Sequence, residues 1–239
     1  MLITRLLKGL FFPRGNPLNQ SQQPTDRDVD GIEGYSFTVD WFSPCIPVWR
    51  DLLSQAPGLG KIVEVGSYEG RSAVWLIENA FTAGGKGELF CMDTWQGGAE
   101  HHAADIDMSA VEGRFLGNIA TARSRSRSEV TVHVLKGASQ GLLASLVAEG
   151  HGLSCDLIHV DGSHQCPDVL CDAVLSFQLC KVGGLIIFDD YCWSQEPHGG
   201  EDLLNQPKLA IDSFVNCYRR KLTVCGVNLR QIYLRKTAA

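Results

Sequence analysis

From Lys61 onward, apolar residues recur with two alternating periods. Short runs of β-branched and aliphatic residues read as strands: KIVEV (61–65), ELFCM (88–92), VTVHVL (130–135), DLIHV (156–160) and LIIFD (185–189). Between them, apolar positions three and four apart predict helices over 72–81, 109–123, 139–149, 167–180 and 208–220. Strands that alternate with helices of this length predict a parallel sheet covered on both faces, with right-handed crossovers. LTVCG and RQIYLR follow, and read as two strands joined by a tight turn at Gly226-Val227-Asn228. A terminal antiparallel hairpin separates this layout from a generic dinucleotide fold. The expected class is α/β, a Rossmann-like, doubly wound, mostly parallel seven-stranded sheet with a C-terminal antiparallel hairpin.

The N-terminal part breaks this rhythm. MLITRLLKGLFF is apolar with Arg5 and Lys8 inside it. It lacks the uninterrupted apolar core and small-residue cleavage site of a signal peptide, and it reads as an amphipathic docking helix. Residues 13–34 are polar and rich in Pro, Gly, Gln and Asp, as a linker is. An aromatic stretch with Pro44 and Pro47 leads into a helix over 46–55 that packs on the main domain. The expected organisation is an arm and linker over 1–45 and one domain over 46–239. The aromatic arm offers a surface to a partner subunit.

Composition narrows the function classes. The chain has 239 residues, 44% hydrophobic and 20% charged, which suits one globular domain with a large core. Its formal charge is −6, which argues against binding a nucleic-acid backbone. The one basic cluster, RSRSR at 123–127, reads as a solvated helix end. No stretch approaches membrane-spanning length. Nine cysteines are scattered without a Cys-x-x-Cys pair, so they read as reduced core residues of a cytoplasmic protein.

The chemistry concentrates at strand ends. CDLIHVDGSH ends its strand in Asp161, and VGGLIIFDDY ends its strand in Asp189 and Asp190. On neighbouring parallel strands, these three carboxylates meet at the edge where open α/β sheets bind ligands. They need a cation or a proton to compensate them. Asp189 and Asp190 face opposite sides of a regular strand, so both serve one site only if the strand stops there. The plain alternative is that all three cap the turns that follow.

VEVGSYEGRSA (63–73) joins the first strand to the first helix. Gly66 and Gly70 allow a tight turn and close approach to a ligand, but G-x-x-x-G is not the G-x-G-x-x-G pyrophosphate fingerprint. Glu64 lies within the strand, where it wants a ligand amine or an amide to bond. Asp93 ends the second strand, where nucleotide folds place an acid against ribose hydroxyls. Gly137, Ala138 and Ser139 end the third strand, with room beside them for an adenine.

As an ordered set, VEVGSYEGRSA, CMDTW, LKGAS, DLIHVDGSH and VGGLIIFDDY resemble class I S-adenosylmethionine-dependent methyltransferases. More narrowly they resemble the metal-dependent O-methyltransferases that include the macrocin and mycinamicin sugar methyltransferases and, more distantly, catechol O-methyltransferase. The resemblance implies S-adenosylmethionine as cofactor, with Glu64, Gly66, Ser67 and Gly70 around its methionine part. It implies Asp93, Thr94 and Trp95 at the ribose, Gly137, Ala138 and Ser139 at the adenine, and Asp161 touching the cofactor. Asp161, Asp189 and Asp190 match the family's metal-binding acids, and such hard oxygen ligands favour Mg²⁺ or Mn²⁺ over zinc. Catechol-type enzymes carry a lysine three residues after the first metal acid, where this chain has His164. His164 and Asp161 therefore both stand as candidate bases. His164 also reads plainly as a residue at a helix start.

The expected reaction is methyl transfer to a hydroxyl of a small molecule, a sugar or a catechol-like diol. The alternatives are a nicotinamide oxidoreductase, a catalytically silent cofactor-binding module and a hydroxylase-like relative of the same fold.

Overall fold

The computed structural model describes residues 34–56, 58–98, 101–102, 105–196 and 202–239. The expected docking helix and most of the arm lie outside these residues. The described part of the arm packs on the domain, with Phe42 buried. A 3₁₀ turn, Ser43–Cys45, leads into helix α1, Ile46–Ser54. Five strand–helix alternations follow: β1 Lys61–Val65, α2 Arg71–Asn79, β2 Lys86–Asp93, α3 Val111–Arg125, β3 Glu129–Lys136, α4 Ser139–Leu146, β4 Cys155–Val160, α5 Cys166–Leu179, β5 Cys180–Phe188 and α6 Pro207–Tyr218. A π turn, Val147–His151, ends α4. Strands β6, Leu222–Val227, and β7, Ile232–Lys236, close the chain.

The strands form one seven-stranded sheet in the order β3-β2-β1-β4-β5-β7-β6. β1 to β5 are parallel, and β7 runs antiparallel to both β5 and β6. The order reverses between β1 and β4, which opens a crevice at the carboxyl ends of the parallel strands.

The apolar runs bury both sheet faces, as parallel strands must. On one face, Val63, Val65, Ile158, Val160 and Phe188 pack under α4, α5 and α6 with Phe177 and Phe214. On the other, Ile62, Leu157, Ile187 and Tyr233 pack under α1, α2 and α3 with Trp49, Trp75 and Phe115. Strand alternation assigns Glu64 and His159 to this second face, beneath Trp49.

Two expected boundaries move. The hairpin turn falls at Asn228–Gln231, not Gly226–Asn228. Gly226 and Val227 stay in β6, where the register slips between Val224 and Gly226. Asn228 makes the turn by accepting the Arg230 and Gln231 N–H groups on its side chain. β5 begins at Cys180, earlier than the apolar run suggests, because Cys180 already pairs with Cys155 before a bulge.

Candidate active site

The loops after β1, β2 and β3 build one half of the edge. Gly66 has φ +82°, and a Cβ there would lie 1.8 Å from the Asp161 carbonyl oxygen. Only glycine permits this crossing of the β1 and β4 ends. Glu64 is fully buried beneath the loop. Its two carboxylate oxygens accept the Ser67 hydroxyl at 2.7 Å and the Ser72 hydroxyl at 2.6 Å. Glu64 thus braces the loop from below.

Asp93 accepts the Tyr68 N–H at 2.8 Å and the Trp95 N–H at 2.7 Å. The Trp95 indole N–H donates to the Tyr68 carbonyl at 2.9 Å, which ties the same two loops again. Burial pushes the Asp93 carboxyl up from its ordinary value, against these two backbone donors. Thr94 accepts the Gln96 N–H on its hydroxyl. Gly137, Ala138 and Ser139 turn from β3 into α4, and the Ser139 hydroxyl donates to Asp172 at 2.9 Å. Tyr68 and Trp95 hold left-handed backbones, φ 44° and 52°. Such strain in non-glycine residues concentrates at functional edges.

The ends of β4 and β5 build the other half. A small pocket is lined by Asp161, Gly162, Ser163, His164, Asp189 and Asp190. β5 ends at Phe188, and Asp190 adopts a left-handed backbone, φ 53°. That turn brings the two neighbouring acids to one pocket. Asp190 Oδ2 lies 3.0 Å from His164 Nε2, and the Trp193 ring packs 4.1 Å from the imidazole.

Asp189 is buried and closely held. Its Oδ2 accepts Gln231 Nε2 at 2.7 Å, its Oδ1 accepts the Asp190 N–H at 2.9 Å, and Arg230 Nε lies 3.5 Å from Oδ1. Burial works to raise the Asp189 carboxyl, but His159, Arg230 and Gln231 outweigh it and hold it below its usual value. Burial pushes Asp161 well above its usual value, and the charges of Asp189 and Asp190 add to this. Two carboxyls at one edge are thus driven in opposite directions, a pattern typical of acid–base sites.

Sequence reasoning missed His159, which it absorbed into an apolar strand. The imidazole is fully buried, with Nδ1 3.6 Å from Glu64 Oε1 and Nε2 3.6 Å from Asp189 Oδ2. Burial opposes its charge, yet the two carboxylates raise it to about 10. Ligating atoms of His159, Asp161 and Asp189 lie within 4.8 Å of one another, close enough to surround an ion. A usable signal existed, because β1–β4 pairing sets Glu64 beside His159. Gln231 and Glu69 were also missed. Glu69 is buried and joins Thr38 of the arm to Arg114 of α3.

The aromatic side chains around the edge differ in exposure. Phe42, Trp95 and Tyr191 are core residues, while Trp41 and Trp193 keep exposed area near the edge. Among the described residues, no helix is long and apolar enough to cross a membrane.

The methyltransferase-domain family profile matches residues 63–191, which span β1 to the end of β5. A comparison with curated proteins finds no match. Solved structures share the fold. An O-methyltransferase from Bacillus cereus in complex with SAH is 20% identical, with a TM-score of 0.54, over 81% of this chain and 82% of that one. The O-methyltransferase TomG from Streptomyces achromogenes, involved in tomaymycin synthesis and in complex with SAM, is 18% identical, with a TM-score of 0.53, over 78% and 77%. The MycE methyltransferase of the mycinamycin biosynthetic pathway, in complex with Mg and SAH, is 18% identical with a TM-score of 0.50. The match covers 84% of this chain and 51% of MycE.

Proposed function

The chain belongs to the methyltransferase-domain family, and on that premise we propose that it transfers a methyl group from S-adenosylmethionine to a hydroxyl of a small molecule, assisted by a divalent cation. The observation that carries this reading is the His164–Asp190 pair, 3.0 Å apart, in a pocket shared with Asp161 and Asp189.

S-adenosylmethionine supplies a methyl group on a sulfonium, ready for in-line displacement. The chain's part is to bind it, orient it and take a proton from the acceptor. Gly66 and Gly70 bare the backbone at the start of α2, and Glu64 with Ser67 shapes that turn. Asp93 stands at the end of β2, where its carboxylate keeps lone pairs for ribose hydroxyls besides the two backbone donors it already accepts. Gly137, Ala138 and Ser139 offer small side chains and backbone groups to the adenine.

Asp161, Asp189 and Asp190 would hold the cation. They fit it chemically: all are hard oxygen donors, and the burial that raises the Asp161 carboxyl, with Asp189 and Asp190 beside it, is what a cation there would offset. Mg²⁺ or Mn²⁺ would lower the pKa of a ligated hydroxyl. A sugar diol or catechol, offering two adjacent oxygens, is the natural acceptor. Asp190 pairs with Nε2 of His164 at 3.0 Å and orients the imidazole, the first candidate base, at the pocket. Asp161 is the second candidate base.

Titrating Mg²⁺ calorimetrically into protein saturated with S-adenosylhomocysteine tests the cation. Saturable binding that Asp189→Asn abolishes, with the homocysteine product still bound, is the expected result. A wild type that takes up no Mg²⁺ removes the cation from the reading. His164→Ala should lower methyl transfer by about 10²-fold or more. A rate equal to wild type moves the base to Asp161. A product heavier by one CH₂ identifies methylation and rules out the hydroxylase-like and silent alternatives.

A further inference from the structure

The acid cluster does not stand alone. A row of buried side chains runs from it across the sheet to helix α1. Gln231, in the turn before β7, is fully buried. Its Nε2 donates to Asp189 Oδ2 at 2.7 Å. Its Oε1 accepts both the Trp49 indole N–H at 2.9 Å and the Tyr233 hydroxyl at 2.5 Å. Its backbone N–H donates to Asn228 Oδ1, which fixes where the side chain starts.

The amide can sit only one way round. An indole N–H donates and never accepts, so Gln231 must turn its carbonyl oxygen toward Trp49. That leaves its NH₂ group facing Asp189. A flipped amide would set donor against donor at Trp49 and oxygen against oxygen at Asp189. No other uncharged side chain of this length both accepts at one end and donates at the other. Asp189 then meets His159, and His159 meets Glu64 under the Gly66 loop.

The geometry points to Gln231 as the positioning residue for Asp189, with Trp49 fixing the direction in which Gln231 donates. Gln231 orients one Asp189 oxygen at the edge of the pocket. It touches no reacting atom itself. The consequence for cation binding rests on the proposed metal-assisted reaction; the hydrogen-bonded row does not.

The test has two readouts. The chain has five tryptophans, so ¹⁵N labelling gives a small set of indole N–H signals, with Trp49 assigned by Trp49→Phe. Asp189→Asn should shift the Trp49 signal and leave the other indoles in place. Gln231→Leu should shift it too, and should make it blind to Asp189→Asn in the double variant. A Trp49 signal unmoved by Asp189→Asn in folded protein overturns the proposal. The second readout is Mg²⁺ titration of protein saturated with S-adenosylhomocysteine. Gln231→Leu should weaken Mg²⁺ roughly 10–100-fold, as loss of a partner behind a metal ligand does, with product affinity unchanged. Wild-type Mg²⁺ affinity in that variant overturns the positioning role. A wild type that takes up no Mg²⁺ sinks the cation reading alone, and the indole response then decides on Gln231. Should Gln231→Leu fail to fold, Gln231→Met takes its place, retaining the length and losing both polar ends.

Discussion

Asp172 on α5 is buried, and among the described residues only one of its oxygens has a hydrogen-bond partner, the Ser139 hydroxyl. Burial raises its carboxyl from 3.8 to about 7, against the Ser139 bond. The folded protein therefore holds this proton over a pH range in which the unfolded chain has released it. With a folded pKa above the unfolded one, the group's contribution is fully present below about pH 4 and is lost as pH rises through 7. Asp172→Asn keeps an oxygen for Ser139 and removes the charge. Its melting temperature should exceed that of wild type at pH 8, and the difference should vanish near pH 4. Equal melting temperatures at pH 8 would show that the buried charge is compensated. At this scale the sequence revealed what sat at strand ends. Asp161, Asp189 and Asp190 were legible because an acid that closes an apolar run is conspicuous. His159 and Gln231 were not, because a single polar residue inside a strand looks the same whether it is a neutral filler or a link between two acids.

The elements were legible from their periods. Buried parallel strands and covering helices leave different spacings, and each expected strand and helix of the main domain formed within a few residues. What failed was punctuation. Gly226 looked like a turn but sits beside a bulge, and Asn228 makes the turn with its side chain. Glycine's role depends on what faces it, and two glycines here predict opposite outcomes. Gly66→Ala forces a Cβ to within 1.8 Å of the Asp161 carbonyl, at φ +82°. The left-handed backbone alone costs about 1–3 kcal/mol in a non-glycine residue, and the clash adds to it. This variant should unfold at clearly lower urea and lose S-adenosylhomocysteine. Gly117, inside α3, has no described atom within 4 Å of an added Cβ. Gly117→Ala should gain about 0.5–1 kcal/mol, as alanine does in a helix interior. Urea midpoints for the two variants check both signs. A stable Gly66→Ala protein would contradict the crossing of β1 and β4 ends described above.

At the scale of the whole molecule, the proposed cofactor site draws on the ends of β1, β2, β3 and β4, the middle of the sheet. A ligand there binds the assembled edge and has no counterpart site in the unfolded chain. Binding should therefore appear as global stabilisation. At a hundred times its dissociation constant, a ligand of the native state adds about 2.7 kcal/mol. For a chain of this size, each kcal/mol moves the melting temperature by about 2–4 °C, so S-adenosylhomocysteine should raise it by roughly 5–11 °C. Asp93→Ala separates the two duties of that residue. The Tyr68 and Trp95 N–H groups lose their acceptor, so the ligand-free melting temperature should fall. If Asp93 also accepts ribose hydroxyls, the shift at the same product concentration should shrink as well. A full-sized shift on a lowered baseline would leave Asp93 as a loop clamp only. No shift in the wild type at millimolar product would remove S-adenosylmethionine from the proposal and favour a different ligand for this edge.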